Sequence, residues 1–357
     1  MARPQKRFNP ILSELIRNIV WAQWNRMGLN GTGGINRYSV DIESALIASG
    51  YGSRLDGRLY EGVWAWLQRY GSLVNAERLA ILISQRNDEW IARFLGALLE
   101  NVDSSQWKRV IQRCKKLCSQ SWEETPLLIN AVRGRWRDKD IVMSKWGILY
   151  DRLTPSQKMQ DHGAILCHNL LMRYRYLYGT VIRADVIYLL SASHHSRLKR
   201  EIDCLTSVRL ADRLCCHLST IHRIQKDFEK GGFIESVGEV KKKRSLMSTW
   251  LVKDLSFLQR HQDYDFGMID WIKINALLSA LFKLNVELEV NQNEAILKTR
   301  IQEFQTDYFP VLMDHEVSVT RAYGMALGPL EEYSMGDFFK TITEALLMFY
   351  RMMCCIA

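Results

Sequence analysis

The sequence predicts a mainly α protein in three parts, with a short β-hairpin in the central one. Apolar residues recur at helical spacing through most of the 357 residues, and only six residues are proline. One pair of short alternating runs, "FIES" and "STWLV", breaks that pattern. Two polar, charge-mixed stretches, 152–163 and 253–267, mark boundaries. They divide the chain into a helical domain, 1–150, a central domain, 164–253, and an acidic helical domain, 266–357. That length suits two or three cores rather than one.

The first part reads as successive amphipathic helices. "SELIRNIVWAQWNRMG" offers Ser13 as cap and sets Leu15, Ile16, Ile19 and Val20 on one stripe. "DIESALIASG" has Asp41 as cap, Glu43 as a first-turn acid complementing the helix dipole, and Gly50 as stop. "DGRLYEGVWAWLQRYG" points Leu59, Val63 and Leu67 inward and stops at Gly71. In "DEWIARFLGALLENV", Trp90, Phe94 and Leu98 fall four apart. The tryptophans read as core anchors. A further helix, "AILCHNLLMRYRYLYG", ends near Gly179. Its alternation of Arg and Tyr fits base stacking or helix packing equally well.

The central stretch, residues 206–252, carries the chemistry. Ser207 is placed to cap a short helix with Leu210, Ala211 and Leu214 inward. Cys215 to His217 make a turn, and a second helix starts near Leu218–Ser219. Its buried stripe is Ile221, Ile224 and Phe228. The opposite face presents Ser219, His222, Arg223, Lys226 and Lys230. Those are almost all hydrogen-bond donors, suited to phosphates and to the guanine acceptors N7 and O6. Gly231 and Gly232 end the helix, and a hairpin follows with Lys241, Lys242, Lys243 and Arg244 at its loop.

In this order of parts, with "RADVIYLLSAS" (183–193) as first helix, the stretch resembles the winged helix-turn-helix DNA-binding regulators. The resemblance implies that the second helix of the motif enters the major groove while the wing touches backbone or minor groove. The chain departs from that pattern twice: a cysteine stands in the turn where glycine is common, and "HHSRLKREID" lengthens the link before the motif. A second resemblance covers more of the chain. "WAQWNRMGL", "DGRLYEGVWAWLQRYGSLVNAERL" and "YLYGTVIRADV" look like blocks of a bacterial group of regulators, some encoded beside nucleotidyltransferase-like toxins. That implies an antitoxin or autorepressor role with a toxin protein as partner.

Charge distributes the roles. The net charge is +9, with +11 in residues 1–205, +5 in 206–253 and −7 in 254–357. A phosphate backbone is attracted to the first two parts and repelled by the third. The last part ends in the apolar "ALLMFYRMMCCIA", which needs cover and is expected to make a homodimer. The eight cysteines include one spaced pair, Cys114 and Cys118, too little for a structural zinc site, so no metal or other cofactor is expected. Neither a signal peptide nor a membrane-length apolar run is legible, so the expected location is the cytoplasm, with no membrane partner. "GLNGTGG" (28–34) lacks the Lys-Ser/Thr of a phosphate loop, and no catalytic motif occurs, so the expectation is not an enzyme. The expected function is a sequence-specific, dimeric transcriptional regulator of double-stranded DNA. The alternative is an antitoxin or adaptor that grips a partner protein through its helical domains.

Overall fold

Asn9 opens the first helix, α1 (Pro10–Arg26). Its side chain accepts from the Leu12 amide at 3.1 Å, and Pro10 takes a first-turn position where no amide hydrogen is missed. Ser13, the expected cap, lies inside the helix and accepts a hydrogen bond from Asn285 at 2.9 Å. The computed structural model describes residues 9–102, 104–118, 124–129, 138–151, 159–195, 206–242, 245–252, 270–290, 294–313 and 335–354.

The second helix, α2 (Ile42–Leu55), begins at Asp41 as expected, through a bond from the Ser44 amide at 3.0 Å. It runs past Gly50, the expected stop. The helix goes on through Gly52, where a neighbour comes close, while Gly50 makes only ordinary contacts with Ile91 and Phe94. A Cβ on Gly52 would lie 2.6 Å from Leu59. Asp56 caps α3 (Gly57–Tyr70), which buries Leu59, Val63 and Leu67 and ends at Gly71. Asn75 caps α4 (Ala76–Arg86), and α5 (Glu89–Val102) buries Phe94 and Leu98. Trp90 is half-buried, its indole donating to the Gly50 carbonyl at 2.9 Å. α6 (Lys108–Leu117) packs on α4 and α5. A minimal parallel pair, β1 (Thr125–Pro126) and β2 (Ile148–Leu149), brackets the short α7 (Ile141–Lys145).

The helix expected over 164–179 is two, α8 (His162–His168) and α9 (Leu170–Tyr178). Asn169 breaks them with an extended backbone and caps α9 through the Met172 amide at 3.2 Å. Then follow α10 (Ile182–His195), α11 (Ser207–Leu214), α12 (Leu218–Lys230) and the antiparallel hairpin β3 (Ile234–Lys242) and β4 (Ser245–Val252). α13 (Trp271–Val290), α14 (Glu294–Met313) and α15 (Met335–Cys354) complete the described chain. The protein is mainly α, as the sequence predicts.

Tryptophans anchor the core. Trp24 and Trp66 meet edge to face at 5.4 Å, and both indoles are satisfied, by Ser49 at 2.8 Å and the Met27 carbonyl at 2.9 Å. The last helices do not stand apart: α13 packs on α1 and α2, and α15 packs on α1. Gln23 and Asn275 exchange amide hydrogen bonds at 3.0 and 3.1 Å, and the Trp271 indole donates to the Ser39 carbonyl at 2.6 Å. The apolar face of α15, expected to need cover from a second copy, is covered within the chain. Phe338, Ile342, Leu346, Phe349 and Met353 are buried in the common core. Among the described residues no helix is long and apolar enough to cross a membrane.

Candidate nucleic-acid interface

Thr206 caps α11, accepting from the Arg209 amide at 3.2 Å, so the expected cap is displaced by one residue. Ser207 is instead the first helical residue. It is buried, and its hydroxyl donates to Gln225 of α12 at 2.8 Å, which fastens the two helices. Leu210, Ala211 and Leu214 face inward as expected. The turn between the helices is the expected three residues. Cys215 takes the left-handed backbone there, at φ 52°, in the place where glycine is common.

In α12, Ile221 and Ile224 are buried at 0% and 3% exposure. Phe228 is only half-buried, with Phe233 edge-on to its ring at 6.2 Å. Gln225 belongs to the buried side too, although its polarity hides it in the sequence. Ser219, His222, Arg223, Lys226 and Lys230 are all exposed, so the structure brings these five expected residues onto one free face. None of His222, Arg223, Lys226 or Lys230 has an ion-pair partner among the described residues. Asp227, on the same helix, is already taken by Arg183 at 2.6 Å.

Gly231 caps the helix and Gly232 turns the chain with φ 72°. The strands that follow are longer than expected. Lys241 pairs with Leu246 and Lys242 with Ser245, so both lysines belong to β3 rather than to the loop. The ladder runs on because its register continues to the tip. Lys243 and Arg244 lie outside the described residues.

A buried charge cluster, which sequence reasoning missed, holds this assembly against the helical body. Arg175 of α9, 1% exposed, grips Asp185 of α10 at 2.7 and 2.9 Å and Glu43 of α2 at 2.6 and 3.0 Å. Arg78 of α4 bonds Glu43 at 2.6 Å and Asp41 at 2.9 Å, and donates to the Arg213 backbone carbonyl of α11 at 3.0 Å. Three carboxylates share two guanidiniums. Burial, and the Glu43 charge beyond Arg175, push Asp185 above its usual range against the pull of Arg175. Burial acts on Asp41 too, but Arg78 outweighs it and holds that carboxyl low.

The "RYRYLYG" run divides accordingly. Tyr174 and Arg175 are buried, while Tyr176, Leu177 and Tyr178 are exposed at 58, 60 and 53%. Cys114 is buried and Cys118 half-buried. Burial pushes their thiols up to about 12 and about 11. No group of three or more His, Cys, Asp or Glu placed to hold a metal occurs among the described residues. Comparison with family models, curated proteins and solved structures finds no match.

Proposed function

We propose that the chain is a sequence-specific DNA-binding transcriptional regulator of the winged-helix kind. In this reading α12 enters the major groove and the β3–β4 hairpin is the wing. One observation carries it: α12 presents Ser219, His222, Arg223, Lys226 and Lys230 on an exposed face whose cations have no partner among the described residues. A folded surface that keeps several donors free suits a polyanion whose grooves are lined with acceptors. Arg223 and Lys226 read base edges, and the wing cations Lys241, Lys242, Lys243 and Arg244 contact phosphate. Two-fold pairing on a palindromic site would use a surface other than the covered face of α15.

Selection from a genomic duplex library, followed by anisotropy titration, tests the reading. Arg223→Ala should relax preference at one position, at a cost of about 1–3 kcal/mol, while removing the wing charges should weaken all duplexes alike. Equal losses on selected and random duplexes would refute this division. A second reading has its own observation. Tyr176, Leu177, Tyr178 and Val181 form an exposed apolar strip at the α9–α10 junction, which suits a partner protein and so an antitoxin or adaptor. Tyr176→Ser/Tyr178→Ser should then abolish partner capture and leave DNA binding intact.

A further inference from the structure

An open groove of about 1170 Å³ separates α12 from α4 and the approach to α6. His217, Thr220 and Arg223 line one side, and Glu77, Ile81 and Gln106 the other. Gln106 leads straight into α6, and residues 104–118 hold five Lys/Arg and no Asp or Glu. Val110 and Cys114 turn the apolar face of α6 into the body, which leaves Lys108, Arg109, Arg113, Lys115 and Lys116 exposed. Arg109 meets Glu77 at 3.3 Å and Lys115 meets Glu100 at 2.9 Å. Lys108, Arg113 and Lys116 have no carboxylate partner among the described residues. The Arg109–Glu77 pair also orients the helix. The flank carrying Arg109, and Arg113 one turn on, lies beside the groove wall.

The groove itself is near neutral. Of the charged residues that line it, Arg78 is engaged by Asp41 and Glu43, Arg183 by Asp227 and Glu77 by Arg109. That leaves Arg223, at the edge shared with the outer face of α12, and Asp212 of opposite sign. The uncompensated charge therefore lies on its two shoulders, the outer face of α12 and the outer face of α6. Two basic shoulders with a neutral trough between them match a duplex whose phosphates follow both edges of the engaged groove. We infer that the exposed face of α6 is a second contact with duplex DNA, in which Lys108, Arg113 and Lys116 hold a backbone beside the segment that α12 engages. The inference rests on the reading of α12 as the DNA-contacting helix. It assigns to the helical body a share of the affinity that is independent of sequence.

The test uses the full chain, a random-sequence duplex as probe, and anisotropy across a salt series. Lys108→Ala/Arg113→Ala/Lys116→Ala should flatten the plot of log Kobs against log salt by about 0.9 for each phosphate no longer neutralised, hence by about 2.7. Selected and random duplexes should lose affinity by the same factor. Melting should stay unchanged, because the three side chains are exposed. Lys340→Ala/Arg351→Ala removes two exposed cations from the acidic part and should leave the slope as it was. If the α6 variant keeps the wild-type slope while Arg223→Ala/Lys226→Ala loses the preference for the selected duplex over the random one, the inference falls and the reading of α12 stands. If the α6 variant flattens the slope and the α12 variant keeps the wild-type preference for the selected duplex, α6 is a contact and the reading of α12 fails. Failure of the wild-type chain to bind duplex overturns both, and a larger effect of the α6 variant on single strands than on duplex overturns the α6 inference.

Discussion

Arg175 shows what one side chain can decide. It sits 1% exposed between Glu43 and Asp185 and also donates to the Leu73 carbonyl at 2.9 Å. Arg175→Met fills much of the same space, leaves buried Asp185 without its partner and leaves Glu43 with Arg78 alone of its two guanidiniums. The cost should be about 3–5 kcal/mol, read from chemical denaturation midpoints. Glu43 reads as an ordinary first-turn acid because its sequence position satisfies the dipole rule. Its burial comes from α4 and α9, 35 and 132 residues away, and no local pattern encodes that. Asp41 gives a pH test. Arg78 holds its carboxyl below the ordinary 3.8, so folding gains from its ionised form. That gain is present above the unfolded value and is lost as pH falls through the folded one. Asp41→Asn should therefore lower the melting temperature near neutral pH and flatten its fall in acid, as thermal melts from about pH 7 to about pH 3 would show. Asp185, raised by burial, acts with the opposite sign: its contribution decreases as pH rises.

At the level of elements, α12 is the most legible part of the chain. Its stripe repeats at i and i+3, its free face is uniformly polar, and two glycines close it. The structure keeps that orientation and changes the weights. Phe228 is half-buried, so Ile224 is the better core probe. Ile224→Ala should cost about 2–5 kcal/mol and loosen α11 against α12. Lys226→Ala should leave the thermal midpoint almost unmoved while weakening duplex binding. A large shift for Lys226→Ala and none for Ile224→Ala would mean that the helix is inverted. The hairpin is legible as two strands but not in its extent. Lysine carries weak strand propensity, so Lys241 and Lys242 read as loop, whereas ladder pairing with Leu246 and Ser245 keeps them in β3. The division of α8 from α9 is likewise hidden, because Asn169 interrupts no apolar stripe and acts only through its cap.

The whole molecule differs most from what the sequence implies about residues 254–357. Their charge of −7 suggests an independent part, yet α13 and α15 are seated on α1 and α2. Asn285 bonds Asn9 and Ser13, and Asn275 bonds Gln23 and Ser44, across more than 230 residues in each case. Such amide pairings carry no periodicity, so composition alone could not reveal the seat. A chain ended near Asp265 should therefore lose cooperative melting and expose apolar core. It should not simply fall to a smaller oligomer. Calorimetry together with light scattering separates the two results, and a sharp transition in the shortened chain would show that the N-terminal helices hold their own core.

The bond from Arg78 to residue 213 ends on a backbone carbonyl, not on a side chain. Every amino acid supplies that oxygen, so the joint between the helical body and α11 places no demand on the identity of residue 213. Exposed positions of α12 that make no bond to the body, such as Lys226 and Lys230, are similarly spared, because the attachment is made behind them. The working surface is thus free to drift, or to be randomised in a library, while its mounting stays the same. New specificities could be sampled on this scaffold without first repairing its stability.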